Sequence, residues 1–316
     1  MNKMYLKLSF IALILTLSPN FSFAENDEEL KIPAPFVDEL KDPQSYVDKY
    51  YAEPDYRKWF DENYPEYSSI YQAVDLEKPV FITLSDIEKR IILDGKWTDD
   101  VEWKTSSYDG WLFHDGSGVI LRSAHQNNNI YFLVDFISDR TIDTNTDRAM
   151  ICLEGNNEKN IVAQKNAYCF IANMNGNNPL VLQGGGVSHL SGNFNPIYVE
   201  DVVAIGTTSD FKDRYSQIPH TTYEFKIPID LVGRYSEYGL YVFVYESDTG
   251  KSYSWPRNIE LENNFTIPSP SEWGVMISPD KTLPEFEFPL LLSVISFLTI
   301  LYFSKKKSSG LLMRNY

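Results

Sequence analysis

Asp135, Asp139, Asp143, Asn145 and Asp147 place five oxygen-bearing side chains in one short span. Oxygen ligands at that density are how a hard cation such as Ca²⁺ is held. The spacing is not that of an EF-hand loop, and a solvated loop with turn-capping aspartates is the competing reading. A second group could meet a ligand face to face. Tyr108, Trp111, Tyr253 and Trp255 lie close in sequence to Asp109, Gln126 and Arg257, aromatic rings beside polar groups, although each ring has packing as its alternative role. Patterns for catalysis are missing. Gly184–Gly186 is not followed by the Lys-Ser/Thr of a phosphate loop, and there is no Gly-x-Ser-x-Gly elbow. Carboxylates are numerous, but glycosidic chemistry depends on their separation, which abundance does not reveal. The expectation is a protein that is not an enzyme.

These residues sit in a chain of 316 residues with a net charge of −16 and 21 tyrosines. A surface that acidic excludes a phosphate-neutralising nucleic-acid binder and suits solubility outside a cell. The N-terminus reads as a signal peptide over 1–24: Lys3 and Lys7, an apolar run from Leu8 to Leu17, then Ser22-Phe23-Ala24 before an acidic stretch. Residues 25–78 are acidic and punctuated by proline, with helical pieces at Pro43 to Ala52 and Pro54 to Asn63. Tyr56, Trp59, Phe60 and Tyr64 fall at helical spacing in or just after the second piece, a stripe that suits packing more than binding.

From about Pro79 the pattern turns to β. Gly118–Leu121, Ile130–Val134, Ala149–Leu153, Ala167–Ala172, Tyr198–Ile205, Thr222–Ile227 and Leu240–Tyr245 are short runs rich in β-branched and aromatic residues. Asp94-Gly95, Asp109-Gly110 and Asp115-Gly116 supply turn chemistry between runs. Eight to ten strands without a long intervening helix predict an antiparallel β-sandwich over 79–278. The cysteines Cys152 and Cys169 lie in two of these runs. A cross-strand disulfide closing a loop of about 17 residues, worth roughly 3 kcal/mol, is favoured over two buried thiols. Asn264-Phe265-Thr266 is a glycosylation acceptor sequence.

The chain ends in a stalk over 279–287, an uncharged run over 288–304 and a basic tail over 305–316 that opens with Lys305-Lys306-Lys307. The run predicts a single transmembrane helix, with the lysines inside and the preceding chain displayed at the cell surface. Pro284-Glu285-Phe286 followed by the apolar run and the lysines resembles the PEF-CTERM sorting tail of archaeal surface proteins. That resemblance implies an archaeosortase-like processing enzyme as partner.

The central region carries a second resemblance. Ile92-Leu93-Asp94-Gly95-Lys96-Trp97 with Trp103 comes first, then Ile130–Asp135 with the acidic loop, then Tyr223–Pro228, Leu240–Tyr245 and Trp255-Pro256. This order is similar to family 9 carbohydrate-binding modules and their DOMON-like relatives, over about Ile82 to Ile277. The resemblance implies a non-catalytic sandwich that binds carbohydrate through exposed aromatics, with structural calcium in some members. It also implies an alternative, because DOMON-like relatives hold haem b through axial Met, Lys or His. Met150, Met174, His125, His189 and Lys165 are the candidate ligands of those types. A purely structural envelope protein is the third reading.

Overall fold

The computed structural model describes residues 31–38, 40–84, 91–99, 101–126, 128–176, 178–186, 193–257, 259 and 266–278. The signal peptide, the acceptor Asn264, the sorting motif Pro284, Glu285 and Phe286, and the apolar run 288–304 lie outside the described residues. Among the described residues, no helix is long and apolar enough to cross a membrane.

The chain divides into two compact units, Met1–Leu76 and Glu77–Tyr316. In the first, helices α1 (Gln44–Ala52), α2 (Pro54–Asn63) and α3 (Ile70–Ala73) surround a small core that includes Val47, Phe60, Ile70 and Val74. Pro54 opens α2, where the N–H that proline lacks would have no intrahelical acceptor. Ser69 caps α3 by accepting from the Gln72 amide. The aromatic stripe packs on Phe36, with Phe60 buried and Trp59 at the exposed edge: Phe36 meets Tyr46, Trp59, Phe60 and Tyr64 at ring separations of 4.7–5.9 Å.

The second unit is a two-sheet sandwich of fourteen strands among the described residues, several only two to four residues long. In chain order these are β1 (Val80–Phe81), β2 (Thr83–Leu84), β3 (Ser107–Leu112), β4 (Gly118–Gln126), β5 (Asn129–Phe136), β6 (Arg148–Gly155) and β7 (Ala167–Asn173). They continue with β8 (Leu180–Gln183), β9 (Asn195–Ile197), β10 (Val203–Thr208), β11 (Thr221–Pro228), β12 (Glu237–Glu246), β13 (Lys251–Trp255) and β14 (Gly274–Ile277). The first sheet runs β1-β14-β12-β6-β7-β8-β9, with β13 also on β12. The second runs β10-β11-β5-β4-β2, with β3 also on β4. Pairing is antiparallel except at β1–β14 and β2–β4.

Strand periodicity of two decides what faces what. Ile130, Phe132, Val134 and Phe136 of β5 meet Tyr223, Phe225 and Ile227 of β11, and they close on Ile151, Leu153, Leu240 and Val242 from the first sheet. That interior layer is the principal core. The sheets are linked at one corner, where Met174 bridges to Gly206 and the Asn175 amide donates to the Gly206 carbonyl. A Cβ at Gly206 would fall 2.7 Å from the Tyr223 ring, so this approach requires glycine.

Both sheets are also covered on their outer faces. On the first, Met150, Cys152, Cys169, Tyr241, Phe243 and Trp273 form a second cluster. Cys152 and Cys169 are register partners on β6 and β7 and are joined as a disulfide. Asp109-Gly110 departs from its expected role as a turn. Both residues lie inside β3, opposite Leu121 and Ile120, because this edge strand has no side-chain demand that glycine fails to meet.

The disulfide closes a loop with a sequence separation of 17. Replacing both cysteines by serine is expected to lower unfolding free energy by roughly 3 kcal/mol, measured by denaturant titration.

Candidate functional site

The most elaborate polar construction lies on the outer face of the second sheet, where Arg122, Ala124, Tyr131, Leu133, Asp135, Thr222 and Glu224 point away from the interior. Residues 91–99 and 101–106, without strand structure, are folded across this face. Ile91, Trp97 and Trp103 pack there on Ala124, Tyr131 and Leu133 as a separate apolar cluster.

Glu224 fixes that segment. Its Oε2 accepts from the amides of Asp94 and Gly95 at 2.9 and 2.8 Å, and its Oε1 accepts from Trp103 Nε1 at 2.9 Å. Glu102 holds the same segment from within, accepting from the amides of Ile92, Thr98 and Asp99. Burial, and next the neighbouring Glu102, push the Glu224 carboxyl well above the ordinary carboxylate range. Gly95 stands at φ +90°, and a Cβ there would meet Thr207 Cγ2 of β10 at 2.8 Å. Only glycine lets the turn lie flat on the sheet.

The segment delivers Trp97 to an aromatic and arginine group. Arg122 lies 5.4 Å from the Trp97 ring, 5.0 Å from Tyr108 and 5.7 Å from Tyr215. Its Nε donates to Tyr215 Oη at 2.6 Å, and Nη1 donates to the carbonyls of Ser106 and Ser107. Arg214 adds a second guanidinium over Trp97 at 5.5 Å. Tyr108 stands outermost, 55% exposed and 6.0 Å from Tyr215. The result is an exposed tyrosine ring beside guanidinium groups: Tyr108 is tilted 31° from Tyr215, the buried Trp97 meets Tyr215 edge-on at 71°, and Arg122 is fixed by its own hydrogen bonds.

Of the five residues expected to meet a ligand, only Tyr108 stands on this surface. Trp111 is half-buried and stacks on Trp255, with ring centroids 5.5 Å apart and an interplanar angle of 14°. Trp255 is 1% exposed and Tyr253 is also buried, so both serve the core rather than a ligand. Their strand alternates, and the side of β13 that carries them faces the interior. Tyr253 Oη contacts Ser117 and Asp115, while Arg257 is exposed and tied to Glu77 through its amide and Nε. Tyr215, Arg122 and Arg214 were missed, because a long loop brings Tyr215 and Arg214 beside β3 and β4 and no local pattern announces it.

The acidic span does not form one centre. Asp135 faces His220 from β5, Asp139 accepts from Thr221 and Thr141, and Asp147 accepts from the amides of Asp143 and Ser247. Strand direction separates Asp135 from the loop residues, so Asp135, Asp139, Asp143 and Asp147 do not make the expected calcium cage. Among the described residues, Asp135 instead gathers with Asp213 and His220. Methionines fare similarly as haem ligands: Met174 lies in the interior core and Met150 on the opposite face of the first sheet. The cavity beside Met150 is about 70 Å³, far below the few hundred Å³ of pockets that take larger ligands.

Ser209, His220 and Asp135 follow the order of a nucleophilic triad, but the geometry opposes that chemistry. His220 Nδ1 lies 2.9 Å from Ser209 Oγ and 2.7 Å from the Ile218 carbonyl. A carbonyl only accepts, so Nδ1 carries a proton and cannot take one from serine. Ser209 is also buried.

Two solved structures of a family 9 carbohydrate-binding module from Caldicellulosiruptor kristjanssonii, one in complex with cellotriose and one with glucose, are similar to this chain at 12% identity. The likeness covers 64% of this chain and 93% and 95% of theirs, with TM-scores of 0.41 and 0.42. No protein-family model and no curated protein sequence matches the chain.

Two outcomes are expected. Glu224→Gln turns an amide N–H₂ toward donors and should cost about 1–3 kcal/mol in chemical denaturation. The second concerns Asp109, whose carboxyl burial pushes up to about 6 against the pull of Lys78 and Arg122. Its folded pKa exceeds the unfolded value of about 3.9, so its contribution to stability is full below pH ~4 and lost as pH rises through about 6. Asp109→Asn should therefore flatten that part of the pH–melting profile and raise Tm at pH 7 relative to the parent.

Proposed function

We propose that the sandwich is a non-catalytic carbohydrate-binding module displayed at the cell surface, and that it binds through the Tyr108 surface. One observation carries this reading: an exposed tyrosine ring stands against a half-buried, hydrogen-bonded arginine and a second tyrosine. The C–H face of a pyranose is flat and apolar, while its rim carries hydroxyls. A flat ring with guanidinium donors beside it complements both features, and ring orientation set before binding lowers the ordering cost. Arg214, exposed at the margin, offers further donors to hydroxyl or carboxylate substituents.

Display outside the cell is supported by the signal-like N-terminus and by the apolar run before Lys305-Lys306-Lys307. The PEF-like motif supports processing by an archaeosortase-like enzyme. In this reading the sandwich is the part that meets the ligand.

An array of neutral and uronic-acid glycans tests the ligand class. Retention of the full chain on at least one glycan is expected, with Tyr108→Ala weakening it about tenfold or more while the far-ultraviolet dichroism is unchanged. A folded chain retained by no glycan would overturn the reading.

A further inference from the structure

Asp135, Asp213 and His220 each offer a ligating atom, and these atoms lie within 4.8 Å of one another. All three residues are buried, Asp135 and His220 with no exposed surface. His220 Nδ1 donates to the Ile218 carbonyl at 2.7 Å. In neutral imidazole that leaves a lone pair on Nε2, which faces Asp135 Oδ1 at 2.5 Å. A lone pair and a carboxylate oxygen cannot face each other that closely without something positive at hand. A proton on Nε2 is one answer.

Two observations point to a metal ion taking the place of that proton, with Nε2 and Oδ1 parting to the roughly 3 Å that two ligands on one ion require. Asp135 Oδ2 is buried and has no hydrogen-bond partner. Asp213 then brings a second carboxylate to the same point. Its Oδ1 accepts from the amides of Tyr215 and Ser216 at 2.8 and 2.9 Å, which aims the side chain. Neutral imidazole with two carboxylates carries two negative charges; one proton leaves the buried group at minus one, whereas a divalent cation brings it to zero. Buried net charge is the costlier state.

We infer that Asp135, Asp213 and His220 form a site for one divalent ion of the Zn²⁺ type, separate from the carbohydrate surface. The imidazole nitrogen selects a borderline ion over Ca²⁺ or Mg²⁺, which prefer an all-oxygen shell. The Nδ1–carbonyl bond is the outer-shell contact that orients a metal-ligating histidine. Asp213 and His220 both belong to the connection between β10 and β11, and Asp135 belongs to β5. The ion would therefore pin that connection, which also carries Arg214 and Tyr215, to the sheet.

The test uses the full chain, stripped with a chelator and titrated with Zn²⁺ alone. Expected are one ion bound per chain, a rise in Tm on adding Zn²⁺, and visible d–d absorption when Co²⁺ replaces it. Asp213→Asn keeps an oxygen for the Tyr215 and Ser216 amides while removing the charged ligand. It should weaken Zn²⁺ binding at least about tenfold with the dichroism unchanged. Absence of stoichiometric binding in the folded parent would overturn the site and leave a protonated His220–Asp135 pair. A zinc response of undiminished size in Asp213→Asn would place the ion elsewhere and overturn it equally.

Discussion

The outer face of the second sheet depends on one carboxylate. Glu224 sits on a strand about 130 positions after the turn that it holds, and its two oxygens satisfy three donors that would otherwise be buried without partners. Each such donor left unmet costs on the order of 1–3 kcal/mol. Residues 91–99 have no strand or helix to satisfy their backbone, so Glu224 and Glu102 supply acceptors in place of a hydrogen-bond ladder. Once the segment is fixed, Trp97 and Trp103 have defined positions. The arginine and tyrosine group can then form against Trp97.

This arrangement explains why a buried acid is retained in place of a hydrophobic side chain. An apolar residue at 224 would pack on Trp103 but leave the amides of Asp94 and Gly95 and the indole N–H facing it without an acceptor. The requirement for glycine at 95 belongs to the same constraint, because the turn must lie against Thr207 and Ile205 to reach the carboxylate. Sequence pieces far apart are thus bound by one geometric condition, which fits their occurrence as an ordered set rather than as a local motif.

Much of the fold was legible because strands announce themselves by composition and alternation. Val119, Leu121, Phe132, Val134 and Phe225 all fall on the interior phase of their strands. The helices at Gln44–Ala52 and Pro54–Asn63 were bounded by proline, and Cys152 and Cys169 fell in neighbouring strands whose register joins them. Ligand-facing residues were harder to find. An aromatic side chain in a strand is inward or outward according to a phase that the neighbouring sheet decides, and Trp255 and Tyr253 took the inward phase while Tyr108 took the outward one. His220, Asp213 and Tyr215 lie on a connection with no periodicity, so nothing in their spacing tied them to Asp135 or Arg122.

The central claim is that Glu224 locks residues 91–99 and 101–106 onto the sheet, and amide hydrogen exchange of the native chain tests it most directly. The amides of Asp94 and Gly95 are predicted to exchange only as slowly as the core strands β5 and β11, since opening them requires breaking the Glu224 bonds and releasing Trp103. Exchange of those two amides at rates typical of an open loop, with β5 and β11 still protected, would contradict the account.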